Sequence, residues 1–247
     1  MTGQSPVKLM LLSGGAAFAL IEGIRNKFEA DNSCRIEGEF AAVGFTKDKL
    51  LAGAACDAII VSRKLIDQLS GSRVVDSNTV RDLGRVSTGI AVKTGQEKIR
   101  IGSAEDLERA LSGADKIFVP NMGKSTAGLH MKTVFDKLDL FDRIRPKISE
   151  YSGGAAAMEA LAIEPAGRCI GFTQVTEILC TRGVDLIGKL PSGFELDTTY
   201  SIAIPAVSRQ TRLAGKLIDL LTDSSLRELK AATGFGAEIA PGARAAT

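Results

Sequence analysis

Three stretches of small residues stand where an apolar run gives way to a helical pattern: Ser13-Gly14-Gly15, Ser125-Thr126-Ala127-Gly128 and Ser152-Gly153-Gly154. A turn of this kind leaves backbone N–H groups unpaired and aims the positive end of a helix dipole at one point, which suits an anion without any cationic side chain. Small residues before a helix also serve as plain caps, and each turn taken alone is open to that reading. Side chains near the turns add chemistry. His130 falls in the first turn of the helix after the second stretch, where an imidazole can act as a general acid or base near neutral pH. The alternative is a partly buried histidine packing under the turn. Lys124 could pair with a ligand carboxylate or stand in solvent, and Lys47 could reach a cleft or sit on an exposed helical turn.

The four cysteines, Cys34, Cys56, Cys169 and Cys180, are far apart and form no CxxC pair, and His130 is the single histidine. No metal site, disulfide framework or cofactor is therefore expected; the thiols read as small core residues. Lys and Arg number 31 against 29 Asp and Glu, there is no Trp, and only two Tyr are present. That balance argues against nucleic acid as a partner. No apolar run approaches the ~18 residues of a membrane span. Residues Lys8 to Leu20 resemble a secretory leader, but Ser13-Gly14-Gly15 interrupts them and no A-x-A site follows. Read as mature protein, the chain is expected in the cytoplasm, with a transporter permease as partner only if it is exported.

The elements that must position these turns alternate between short β runs and helical patterns, the signature of parallel sheets with crossover helices. Strands are predicted at Val7–Leu12, Arg35–Phe40, Cys56–Val61, Val86–Val92, Lys116–Pro120, Arg168–Phe172, Val184–Gly188 and Thr198–Ile204. Helices are predicted at Gly15–Ala30, at Thr46–Ala54 with Thr46 as its cap, and at Ser62–Leu69 and Ser103–Leu111. Others run from the second turn through Leu138, over Gly154–Ile163, from Thr173 to Leu179, and over Thr211–Leu221 and Ser225–Ala232. The tail Ala237–Thr247, rich in Ala, Gly and Pro, is expected to fray. With 45% apolar and 24% charged residues over 247 positions, such a chain can bury roughly 70–75% of its unfolded surface.

Taken in order, SGGAAFALIEGIRNKFEA, AACDAIIVSRKLIDQL, TAGLHMKTVFDKLDLFDRI, GFTQVTEI, GVDLIGKLP, TTYSIAI and LIDLLTDSSLRELKAATGF resemble the ModA-like family of molybdate-binding proteins, from Lys8 to Phe235. The resemblance implies an α/β fold of the type II periplasmic-binding-protein kind: two doubly wound lobes joined by hinge strands, with a ligand caught between them. It places lobe I at 1–83 plus 203–247 and lobe II at 84–202. Ser13, with Gly14 and Gly15 beside it, matches the family's first oxyanion-binding serine. Ala127, flanked by Ser125 and Thr126, matches a backbone contact from the second lobe, and Gly154 falls near another. The second serine of the molybdate site is missing from Ala41-Ala42-Val43-Gly44-Phe45, leaving only Val43 and Gly44 there, and Phe172 stands for the cleft tyrosine. A small anionic ligand, a polycarboxylate or an oxyanion, is implied, and the loss of both hydroxyls argues against tetrahedral molybdate. Aconitate isomerase resembles this family too, so the implied activity is an allylic isomerisation of an unsaturated polycarboxylate, with His130 or Lys124 carrying the proton. The alternative is the substrate-binding protein of a molybdate- or oxyanion-type ABC transporter.

Overall fold

One long strand, β4 (Arg81–Lys93), organises the computed structural model, which describes residues 6–236 apart from residue 166. Before it come β1 (Val7–Gly14), α1 (Phe18–Asn32), β2 (Cys34–Ala41), α2 (Val43–Leu51), β3 (Ala58–Ser62) and α3 (Arg63–Gly71). After it come α4 (Ala104–Gly113), β5 (Lys116–Pro120), α5 (Thr126–Lys137), α6 (Phe141–Ile144), β6 (Ile148–Tyr151), α7 (Gly154–Ile163) and β7 (Cys169–Gln174). The chain continues through α8 (Val175–Cys180), β8 (Val184–Lys189), β9 (Asp197–Ala203), α9 (Thr211–Thr222) and α10 (Arg227–Ala232). The strands order as β2-β1-β3-β9-β4-β7-β5-β6, with β8 also on β4.

The chain is a two-lobed α/β protein, each lobe built from βαβ units. β1 runs parallel to β2 and β3, and β5 runs parallel to β6 and β7. The wholly parallel sheet implied by the alternation does not form, however. β4 pairs antiparallel with β9 over Arg81–Ser87 and then antiparallel with β7 and β8 from Thr88 onward. β9 is also antiparallel to β3. The strands that close each sheet arrive from the other half of the molecule, so they enter in the opposite sense. Thr88 pairs with Gln174 where β4 passes from one set of partners to the other.

Separate apolar clusters fill the two lobes. One joins Leu11, Ile21 and Ile60 to Tyr200, Ile218 and Phe235. The others lie on opposite faces of the second sheet, around Phe135 and Phe172 under α5, and around Phe118, Met158 and Leu161 under α7. Wholly buried β7 shows why the faces differ. Gly171 abuts Met158 and Leu161, whereas the Phe172 ring meets that of Phe135 edge to face at 6.2 Å.

Other boundaries differ from expectation for local reasons. α2 begins at Val43 with Ala42 as its N-cap, not at Thr46. Thr46 sits inside the helix, and its hydroxyl donates to the carbonyls of Ala42 and Ser13, both at 3.2 Å. A threonine bonding back one turn has the same sequence appearance as a cap. β7 runs on through Thr173 and Gln174 before α8 starts, and the short strand β6 carries too little pattern to be predicted. Ala237–Thr247 lies outside the described residues.

Candidate ligand cleft

The lobes meet across α2 and the loop before α5. The Gly44 N–H donates to the Lys124 carbonyl at 2.8 Å, and the Lys124 ammonium reaches the Asp48 carboxylate at 2.5 Å. Gly44 has no side chain because a Cβ there would press on the Lys124 backbone. Lys124 holds the Asp48 carboxyl below the usual carboxylate range by direct hydrogen bonding, with smaller help from its charge and that of Lys47.

Two cavities open between the lobes. The larger, about 820 Å³, presents Lys47, Arg63, Lys64, Lys124 and His130 against Asp48 and Asp197. The smaller, about 440 Å³, has walls of Phe18, Phe40 and Phe45, the Ser152–Ala156 turn, and the carboxyl groups of Glu159 and Glu177. A polyanion is therefore matched by the first and opposed by the second.

Of the residues singled out in the sequence, Val43, Gly44, Lys47, Lys124, Thr126 and His130 line the larger cavity. Gly15 and Gly154 line the smaller. Ser13, Gly14, Ser125 and Ala127 are buried in the walls. The Ser13 hydroxyl donates to the Gly14 carbonyl at 2.9 Å, and the Ser125 hydroxyl caps α5 by accepting from Gly128 N–H at 3.4 Å. Phe172 is not at the cleft at all: strand alternation turns it into the core against Phe135. The Lys124 side chain is 42% exposed and is paired with Asp48 rather than free. Cys180 is exposed beside the smaller cavity, while the other three thiols are buried, Cys56 with its pKa pushed up to about 12 by desolvation.

His130 is partly buried, and its Nε2 lies 2.7 Å from the Phe194 carbonyl oxygen. A carbonyl only accepts, so Nε2 bears the hydrogen and Nδ1 is left as the basic nitrogen. One turn before it on α5, Thr126 lines the same cavity, as the i, i+4 relation requires.

Sequence reasoning passed over the polar groups at the lobe junction. Glu177 on α8 extends between the two glycine turns, so that a Cβ at either Gly15 or Gly154 would collide with its carboxylate. Thr173 Oγ1 donates to Oε2 at 2.5 Å, and the amides of Gln174, Ala155 and Gly154 also favour the charged form. Burial outweighs them and raises the Glu177 pKa. Two of the three anion-type turns thus converge on a carboxyl group of the chain itself, and the third opens on the basic cavity. Tyr200 on β9 supplies a buried phenol, with Gln174 and Thr126 as side-chain hydrogen-bond partners. Its ring would lie 3.2 Å from a Cβ at Gly14. The one usable signal was the density of polar residues in Thr173-Gln174-Val175-Thr176-Glu177, a stretch with no exposed face to place them on.

Two lobes flanking a cleft lined by several cationic side chains define a solute-binding protein. The chain belongs to the bacterial extracellular solute-binding protein family, whose sequence model matches residues 9–236. It is 22% identical to an aconitate isomerase from Pseudomonas sp over 233 residues, 90% of this chain and 84% of the relative. Its fold is similar to that of the periplasmic molybdate-binding protein of Azotobacter vinelandii, with TM-score 0.75, 13% identity, and coverage of 94% of this chain and 99% of that one. It is also similar to a sulfate-binding protein from Mycobacterium tuberculosis, with TM-score 0.73, 14% identity, and 94% and 87% coverage.

Proposed function

We propose that this protein is an isomerase of small unsaturated polycarboxylates, moving a double bond by allylic proton transfer in the larger cavity. The observation that carries the reading is His130, a histidine held through Nε2–H by a backbone carbonyl within a wall of cationic side chains. Lys47 and Lys64 offer partners for carboxylates, whereas Arg63 is already paired with Asp67 and Asp82, and Nδ1 of His130 takes a proton from the carbon that is both allylic and next to a carboxyl group. The aconitate isomerase relative supports this choice of substrate class. The test is purified protein with cis- and trans-aconitate in D2O, followed by NMR. Deuterium entry at the allylic carbons together with interconversion is expected; neither, across related unsaturated di- and tricarboxylates, overturns the reading.

Lys124 belongs to the wall that meets the ligand. Changing Lys124→Met is expected to weaken cis-aconitate binding about tenfold, the loss of one charged hydrogen bond. Melting should shift by no more than ~3 °C, because an exposed ion pair contributes about 0–1 kcal/mol. An unchanged Kd in calorimetry removes Lys124 from the ligand wall.

Fold neighbours that bind molybdate and sulfate support a second reading, the receptor of an ABC importer for an oxyanion or carboxylate. It requires tight binding of one anion without turnover, which calorimetry against molybdate, sulfate and aconitate distinguishes from catalysis.

A further inference from the structure

We propose that the carboxyl group of Glu177 is the resident occupant of an anion seat at the lobe junction. It keeps small carboxylates and inorganic oxyanions out of the junction and leaves the larger cavity to the protein's ligand, whether that ligand is turned over or only held.

The seat is built mainly from backbone. Gly153, the N-cap of α7, has no side chain to receive the free N–H groups of the first turn, and such groups are what an anion takes up at a helix start. The amides of Gly154 and Ala155 donate instead to the Glu177 carboxyl, which belongs to α8. The Gln174 amide donates to it as well, and the Thr173 hydroxyl reaches Oε2 at 2.5 Å. Thr173 and Gln174 end the wholly buried strand β7, on which α7 packs, so these donors are fixed relative to one another.

The lobe that carries β1 closes the other side. A Cβ at Gly15 would collide with Oε1, and one at Gly154 with Oε2 and the Thr173 hydroxyl. Neither glycine adopts a positive φ, so backbone conformation does not call for glycine at either place. What the missing side chains make room for is the carboxyl group.

Part of this arrangement is local. Glu177 is the third residue of α8, and a glutamate there commonly receives the amide of the residue that precedes its helix, here Gln174. That habit accounts for one donor. It does not account for Gly154 and Ala155 on another helix, or for the bare Gly15 turn from the other lobe. A carboxyl group held by two elements and walled by a third fills the place of a guest between lobes.

The seat has a way in. Gly15, Gly154, Ala155 and Glu177 itself line the smaller cavity, of about 440 Å³. Shortening the side chain therefore joins the seat to open space. With the side chain in place, Glu177 is 7% exposed and an incoming anion finds the donors engaged. Occupancy excludes the guest here, and the basic side chains of the larger cavity remain free to attract it.

The experiment titrates acetate and sulfate, against sodium chloride of equal ionic strength, into isotope-labelled unaltered protein, Glu177→Ala and Glu177→Gln, reading amide resonances by NMR and the melting temperature. In Glu177→Ala, acetate is expected to move the Gly154 and Ala155 amides with a Kd of about 1–10 mM, at least tenfold below that of the unaltered protein. It should also raise Tm by roughly 3–6 °C at ten times Kd. Glu177→Gln fills the seat with a side chain of the same length and should gain no binding. In the unaltered protein neither anion should move those two amides. A Glu177→Ala variant that binds acetate no better than the unaltered protein overturns the proposal, as does an equal gain in Glu177→Gln or a shift of the two amides by sulfate in the unaltered protein. If Glu177→Ala folds only with acetate present, the anion has replaced the side chain and the proposal stands. If it folds under neither condition, the shifts in the unaltered protein and in Glu177→Gln decide. Deuterium exchange into aconitate by the unaltered protein is a separate readout, so failure of the isomerase reading and failure of the seat are told apart.

Discussion

Replacing His130 with glutamine is expected to lower solvent deuterium exchange into cis-aconitate by roughly 10²–10⁴-fold, the usual worth of a positioned general base. The amide of glutamine can still donate to the Phe194 carbonyl, so the contact seen at Nε2 is kept while the basic Nδ1 is lost. Binding should change by only a few-fold, since Lys47, Arg63, Lys64 and Lys124 still line the cavity. Exchange measured by NMR and affinity measured by calorimetry therefore separate. A variant that exchanges at the original rate places the base elsewhere and leaves His130 a packing residue on α5.

The second large effect is structural. Gly128 sits in the first turn of α5, where a Cβ would fall inside contact distance of the carbonyl oxygens of Pro120 and Asn121. Both obstacles are backbone, at the end of a strand that is paired on both sides, and cannot swing away. Gly128→Ala should cost about 3 kcal/mol or more, at the upper end of overpacking effects. For a chain of this size that is a fall in Tm of roughly 6–12 °C. Gly215→Ala in α9 is the control: a Cβ there meets nothing, and alanine is the better helix former, so a small gain of up to ~1 kcal/mol is expected. Equal melting of the two variants would mean that the loop before α5 yields, and that the cavity wall carrying Thr126 and His130 is not rigidly set.

Much of the architecture was legible in the chain. Ser103, read as a cap, accepts from Asp106 N–H at 3.2 Å, and Gly154–Ile163 is the helix its composition implies. These are contacts within one turn, decided by neighbours three or four residues away. The failures have the same origin: Thr46 looks like a cap because its hydroxyl bonds locally, and Phe172 looks like a cleft residue because its neighbours in the chain do line the junction.

The order of strands and helices, the position of the glycine turns and the presence of a histidine beside one of them were determined by the amino-acid sequence itself, because short-range hydrogen bonding and side-chain periodicity act along the chain. Which turns face each other was decided only by tertiary structure. Glu177 reaches Gly15 and Gly154 because α8 and α7, which lie on β4, the strand that passes between the lobes, pack together with the Gly15–Ala17 turn. A carboxyl group's protonation, a phenol's exposure and the sign of charge in a cavity all depend on water removed by residues remote in sequence, and no local pattern encodes that removal.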